Sequence, residues 1–379
     1  MALPQPLTQP FRLAGFSLPP QTVLLCRLLA LTILLTWHPR QIQTPFLPFL
    51  PGLDELPAEL FRFTLQTALV LGSLAILFTR RLRLAAFVTG SALLLAVLSS
   101  RAYYGNNETF AGLILVLAAC ADLRLIRWQF AILYFGVGLN KALDPDWHTG
   151  QFFHYWAGTR LANPLYLSAL PHLPSLPQIV CWATIVIELA LVPLMLLRRF
   201  AWPAIWISAL FQCGLLLLTG DTFNLSFFAC QIALLAFIEW PPKPVTVIWD
   251  GECGFCAQTK SWMQRFDWDG ILEWVPQQSN IGDRWGISRD ALKNAMYSVS
   301  SSTIRQGYSA WRAMVVWLPV FWYTALLAVV LAPRPTVVAL LVFLTPLSNP
   351  IGEAVYRWVA RNRHRFGDQT CALPAPPKG

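Results

Sequence analysis

Along the first two thirds of the chain, apolar residues come in long blocks bounded by charge, Pro, Gly or Asn. Crossing a hydrocarbon core takes roughly 20 apolar residues, so blocks of this kind predict membrane-spanning helices. The candidates are Gln21 to Trp37, Phe61 to Phe78, Leu84 to Leu98, Glu108 to Ala121, Ile126 to Leu139, Leu176 to Leu197, Ala201 to Leu218 and Phe223 to Trp240. Several are short, so their ends must extend into flanking polar residues. The pattern predicts a multi-pass α-helical bundle of about eight spans.

After Trp240 the pattern changes. Pro241, Pro242, Lys243 and Pro244 form a stiff linker. Val245 to Trp249 reads as a short buried strand, Cys253 to Phe266 as a helix and Ile271 to Val275 as a second strand. Asp290 to Asn294 predicts a helical turn, and Met296 to Ser300 with Ser302 to Gln306 a hairpin. That order predicts a thioredoxin-like α/β domain. The expected division is a membrane domain over 1–240, the linker 241–244, and the α/β domain with apolar C-terminal helices over 245–379. Ala313 to Ala332 is interrupted by Pro319, and Thr336 to Leu347 is too short to cross unaided. The two are expected as a helical pair closing the α/β core; the alternative is a ninth and a tenth span.

Composition sharpens the class. Hydrophobic residues make up 56% of the 379 and charged residues only 12%, which excludes a soluble, disordered or fibrous chain. The 17 Trp suit the two lipid–water boundaries. The net charge of +9 needs no nucleic acid, because Lys and Arg also set membrane orientation. Arg80, Arg81 and Arg83, then Arg124 and Arg127, then Arg198 and Arg199 fall in alternate loops, while Asp54, Glu55, Glu59, Asp144, Asp146 and Asp221 lie in the others. The positive-inside rule then predicts an inner-membrane protein with both termini cytoplasmic. Met1 to Pro20 has no small-residue cleavage site after its first apolar run, so an uncleaved first span is expected.

The sharpest chemical signal is Trp249-Asp250-Gly251-Glu252-Cys253-Gly254-Phe255-Cys256, a strand turning into a helix with Cys-x-x-Cys at the junction. Unpaired backbone N–H groups and the dipole at a helix start stabilise a thiolate on the first cysteine. The second thiol is close enough to attack a mixed disulfide formed by the first. Cys253 is therefore expected as nucleophile, Cys256 as resolving thiol and Asp250 as a group able to accept or relay a proton. Half of a zinc site is an alternative, completed by His364 with Cys371; two inert packing cysteines are another. Thiol exchange requires no metal or cofactor.

This segment resembles the DCC family of thiol-disulfide oxidoreductases, named for an Asp followed by two cysteines, here Asp250, Cys253 and Cys256. The run Tyr356-Arg357-Trp358-Val359-Ala360-Arg361-Asn362-Arg363 is similar to that family's terminal motif. The resemblance covers about Val245 to Phe366 and implies thiol-disulfide exchange with an unidentified protein or small thiol.

In the membrane half, Lys141 ends an apolar helix and Asp146, Trp147 and His148 follow it. Such a lysine is either a snorkelling anchor or a functional group facing a cavity. His148 and His154 read as interfacial hydrogen-bonding residues. Glu188 inside Leu176 to Leu197 must face the bundle, be protonated, or pair with a residue such as Arg27. This half resembles the horizontally transferred transmembrane (HTTM) domain, related to vitamin K-dependent gamma-carboxylase. The residues that carry the likeness are Arg127-Trp128-Gln129, Gly138 with Lys141, Asp146-Trp147 and Gly150, preceded by Asn106-Asn107. The resemblance implies Lys141 as a candidate base and a quinone as a possible cofactor. Glu108 stands where the carboxylase has His. The leading expectation is a membrane-anchored thiol-disulfide oxidoreductase in contact with lipid. The alternatives are a membrane scaffold or small-molecule-binding protein, and a quinone-modifying enzyme.

Overall fold

The computed structural model describes residues 12–36, 52, 55–99, 106–219, 228–238, 240–241, 244–279, 281–300 and 303–363. Parts of the expected Phe223 to Trp240 span, Pro242 and Lys243 of the linker, Arg40, Asp54, Arg101, Asp221, His364 and Cys371 lie outside the described residues. Two compact units divide the chain, Gly15–Ile238 and a second made of Met1–Ala14 with Glu239–Gly379.

The first unit is helical, with α1 (Pro20–Thr36), α2 (Ala58–Phe78), α3 (Leu82–Leu98), α4 (Asn106–Ala119), α5 (Leu123–Leu143), α6 (Leu176–Leu196) and α7 (Ala201–Thr219) as its main elements. Small residues let the helices approach closely, as is common where lipid supplies no hydrophobic drive between helices. A Cβ on Gly72 would fall 2.2 Å from Thr89 Oγ1, and one on Gly90 would fall 2.7 Å from the Gly112 carbonyl oxygen. Between α5 and α6 the chain makes short helices at Pro145–Thr149 and Gln151–Phe153, then a π-helix at His154–Arg160. Gly150 joins the first two at φ +83°, where a Cβ would meet the backbone of Gln178 at 2.5 Å, so both the turn and the packing require glycine there.

Among the described residues three helices are long and apolar enough to cross a membrane: α2, α6 and Ala201–Leu218 of α7. The number rises to five if each of two bent helix pairs in the second unit counts as one span. The expectation of about eight spans followed by a thioredoxin-like domain is corrected accordingly. The chain is a helical region with three spans followed by a small mixed sheet with flanking helices, and the two bent pairs that would raise the number to five come after the sheet. Helix length explains the difference. The 14 residues of α4 extend only about 21 Å at 1.5 Å per residue, short of a hydrocarbon core of about 30 Å. α5 reaches 21 residues but carries Arg124, Arg127, Asn140 and Lys141.

The second unit holds β1 (Val245–Trp249), α8 (Gly254–Phe266), β2 (Leu272–Pro276), α9 (Arg289–Asn294), β3 (Tyr297–Ser300), β4 (Thr303–Gln306), α10 (Gly307–Trp317), α11 (Pro319–Leu331), α12 (Pro333–Leu344) and α13 (Asn349–Asn362). The four strands lie in the order β2-β1-β3-β4. β1 pairs parallel with β2, in register Val247 to Trp274, and antiparallel with β3, in register Val247 to Ser298. Both faces of β1 are buried, which is why its sequence is a near-continuous apolar run. Val245 and Val247 pack with Met263 of α8 and Met314 of α10, while Ile248 packs with Leu292 and Tyr297 on the opposite face. Asp267 fixes the entry to β2 by accepting the N–H groups of Ile271 and Leu272, each at 2.8 Å. The apolar C-terminal segment is bent rather than straight. α10 and α11 meet at 80° across Leu318, with Pro319 opening the new helix, and α12 and α13 meet at 77°.

Candidate functional site

β1 ends at Trp249, and the turn Asp250-Gly251-Glu252 delivers Cys253 to the N-cap of α8. Asp250 organises that turn. Its Oδ1 accepts the Glu252 N–H at 3.2 Å and the Gln278 side-chain amide at 3.2 Å, and its Oδ2 pairs with Arg363 at 3.0 Å. The Gln278 Oε1 accepts the Gly251 N–H at 3.2 Å, and a Cβ on Gly251 would crowd that oxygen at 2.9 Å.

Cys253 and Cys256 are free thiols held near disulfide distance. The Cys253 sulfur accepts the Cys256 backbone N–H at 3.4 Å, the position at which a helix start stabilises negative charge. Burial first, and then hydrogen bonding of its thiol to Cys253, pushes the pKa of Cys256 well above the ordinary thiol value; Arg363 pulls weakly the other way. Exposure runs opposite to that of charge stabilisation: Cys253 is only 1% exposed, whereas Cys256 is half-buried.

Cys256 lines a cavity of about 810 Å³ from which Cys253 is absent. Its walls come from β1, α8, β2, the chain entering β3, and α10, α12 and α13. Two contacts seat α13 there. The Tyr356 hydroxyl accepts the Met296 N–H at 2.9 Å, and Arg363 reaches Asp250. Arg312 of α10 ties the α12–α13 junction, donating to the Thr345 carbonyl at 2.7 Å and to Ser348 Oγ at 2.9 Å.

In the first unit, Lys141 Nζ forms an ion pair with Glu188 Oε1, so the partner of Glu188 is Lys141 and not Arg27. Gly138 makes the pairing possible, because a Cβ there would press on Leu189 at 3.0 Å and on Glu188 at 3.2 Å where α5 crosses α6. The ammonium also lies 4.8 Å from the ring centroid of Trp147. His148 stacks on Trp182 at 5.1 Å, and its Nε2 bonds the Ala142 carbonyl at 2.7 Å. Asp146 is exposed in the same short helix, and Glu108 is buried in the first turn of α4. Glu188 is 3% exposed, and its Oε2 has no hydrogen-bond partner among the described residues.

Two protein families match parts of the chain. Residues 247–340 match the DCC1-like thiol-disulfide oxidoreductase family, and residues 119–239 match the HTTM domain. An HTTM domain is fused here to a DCC-family domain. No curated protein and no solved structure matched the chain. The DCC match contains Asp250, Cys253 and Cys256 and stops before α13, so Tyr356 and Arg363 lie outside it although both line the cavity. The HTTM match contains Lys141, Asp146, Trp147, His148 and Glu188, and Glu108 falls before it. Among the described residues no group of three or more His, Cys, Asp or Glu is placed to hold a metal ion.

The cavity and the roles of Gln278 and Arg312 escape sequence reasoning, because their partners are far away in sequence. One signal was available in α13. Gly352, Tyr356, Val359 and Arg363 recur at helical spacing and form the stripe that faces the cavity.

Proposed function

We propose that the DCC-family domain exchanges electrons with its substrate through Cys256, while Cys253 stores the thiolate. The observation that carries this reading is the opposition of exposure and charge stabilisation: the helix start favours negative charge on the buried Cys253, and the half-buried Cys256 faces the cavity. These roles reverse the order expected from the motif. In the oxidised domain a substrate thiolate attacks the Cys256 sulfur, a substrate–Cys256 disulfide forms, and the S–S bond breaks to leave Cys253 as thiolate. A stabilised thiolate is the better leaving group. A second substrate thiol then displaces Cys256, and the substrate leaves oxidised. Run backwards, the same steps reduce a substrate disulfide. Asp250 acts as a positioning residue that holds Arg363 beside the pair. With Cys253→Ser, a mixed disulfide should accumulate at Cys256, detected as an added mass on the intact protein; an adduct found on Cys253 in Cys256→Ser instead would restore the opposite order.

We infer further that the protein resides in the inner membrane with both termini cytoplasmic. The basic loops around Arg80 to Arg83 and Arg198 to Arg199 support this. Arg357 and Arg361 of α13 suit the anionic headgroups of that leaflet.

A further inference from the structure

The cavity at Cys256 has three properties that together select a ligand. Its volume, about 810 Å³, lies within the range of small-molecule sites. Its walls are overwhelmingly apolar and rich in aromatic rings, with Trp249, Trp274, Trp311 and Phe343 among them. Three of its lining residues, Val342, Ile351 and Val355, are 41%, 70% and 55% exposed, so its approach is apolar as well. Leu327, Leu331, Val338 and Trp358 are further exposed large apolar residues on α11 to α13. Exposed apolar residues in such number on amphipathic and apolar helices mark contact with lipid or with a partner.

A ligand entering here meets a dithiol, so it must exchange two electrons with it. Nicotinamide and flavin nucleotides need cations or amide clusters for their phosphates, whereas the guanidinium lining this cavity, Arg363, is already engaged by Asp250. The polar groups at the wall, among them Asp250, Asn294, Tyr356 and Arg363, are already bonded within the protein, whereas glutathione and extended peptides need free polar partners for their backbones. What remains is a two-electron carrier soluble in the bilayer. Resting on the thiol chemistry proposed above, we propose that this cavity is a binding site for a lipid-soluble quinone, which accepts electrons from the Cys253–Cys256 dithiol.

The step balances. The Cys256 S–H bond breaks and one S–S bond forms between Cys256 and the Cys253 thiolate, which releases two electrons and one proton. With a second proton from solvent, the one Cys253 gave up on becoming a thiolate, they convert the two quinone carbonyls into the hydroxyls of a hydroquinone. The aromatic walls stack the quinone ring, and the apolar rim admits its tail from lipid.

The test uses the full chain in lipid nanodiscs, fully reduced, with decylubiquinone as acceptor, since a fully substituted ring resists simple thiol addition. The expected result is one quinone reduced per Cys253–Cys256 disulfide formed, and no reaction in Cys253→Ser or Cys256→Ser. Ala339→Phe and Val342→Phe fill the α12 wall and should slow quinone reduction by about tenfold or more, and by clearly more than they slow oxidation of the pair by hydroxyethyl disulfide, a smaller oxidant that reaches Cys256 through the same cavity. A pair that reacts with hydroxyethyl disulfide but not with decylubiquinone would overturn the quinone site and leave the thiol reading intact. Equal slowing of both oxidants by the filling variants would also overturn it. A pair inert to both oxidants would remove the thiol reading, and the quinone site with it.

Discussion

At the scale of single residues, the two thiols of the Cys-x-x-Cys pair stand in different environments. Cys256 keeps its proton because burial and the adjacent Cys253 sulfur both disfavour a second negative charge. Its thiolate fraction therefore stays small up to a pH well above the ordinary thiol range, and alkylation should be slow at pH 8. Removing the Cys253 sulfur lowers that pKa, and each unit of fall multiplies the reactive fraction by about ten. Iodoacetamide should accordingly label Cys256 faster in Cys253→Ser than in the reduced native protein at pH 8; an unchanged rate would show that Cys253 does not hold the proton on its neighbour. The same logic governs Lys141 and Glu188, where one ionic partner is almost fully buried. Lys141→Ala strands a buried carboxylate and should destabilise the HTTM domain by roughly 3–5 kcal/mol. Lys141→Met with Glu188→Leu removes both charges and should recover most of that loss in a thermal unfolding series. The spacing of the cysteines was legible in the sequence, since three residues across a helix start fix their proximity. Which sulfur faces outward was not, because that depends on walls supplied by residues up to Arg363.

At the scale of elements, period-two and period-3.6 patterns located the sheet unit closely. The expected strand Val245 to Trp249 has those bounds, α8 and α9 differ from expectation by one residue at one end, and β2 is shifted by one residue at both. The reason is that β1 is buried on both faces and Asp267 and Ser288 cap their neighbours locally, so short-range chemistry fixes the boundaries. The membrane half was less legible, because an apolar block in sequence does not reveal where a helix stops. α4 ends at Ala119, and Ala121 adopts φ +64°, a backbone turn that no hydropathy profile registers. Pro319 was visible as an interruption, but the 80° turn it opens was not. The contacts of α13 give an element-level prediction. Tyr356→Phe leaves the partly buried Met296 N–H without its acceptor and should cost about 1 kcal/mol, read as a drop of a few degrees in the melting temperature of the sheet unit. Arg312→Ala removes the ties to Thr345 and Ser348 together and should cost more, together with a faster hydrogen exchange in α13.

At the scale of the whole molecule, the chain combines a polar cluster inside an HTTM domain with a dithiol in a DCC-family domain, and the two belong to different compact units. Lys141, Glu188, Trp147 and His148 bond and stack among themselves and with Ala142 and Trp182, all within the first unit. What shifts the Cys256 thiol, its burial first and then Cys253, Arg363 and Asp250, belongs to the second. The two sites should therefore be separable in function. Lys141→Met with Glu188→Leu, which leaves no stranded charge, should keep the exchange rate of the full-length protein with hydroxyethyl disulfide within about twofold of native. The matching control is Arg363→Ala, which frees Asp250 next to Cys256 and should shift the pH profile of the same reaction. A large loss of exchange in the Lys141 and Glu188 double variant, with its melting temperature and membrane insertion intact, would show that the HTTM site drives the dithiol and that the two domains form one catalytic unit.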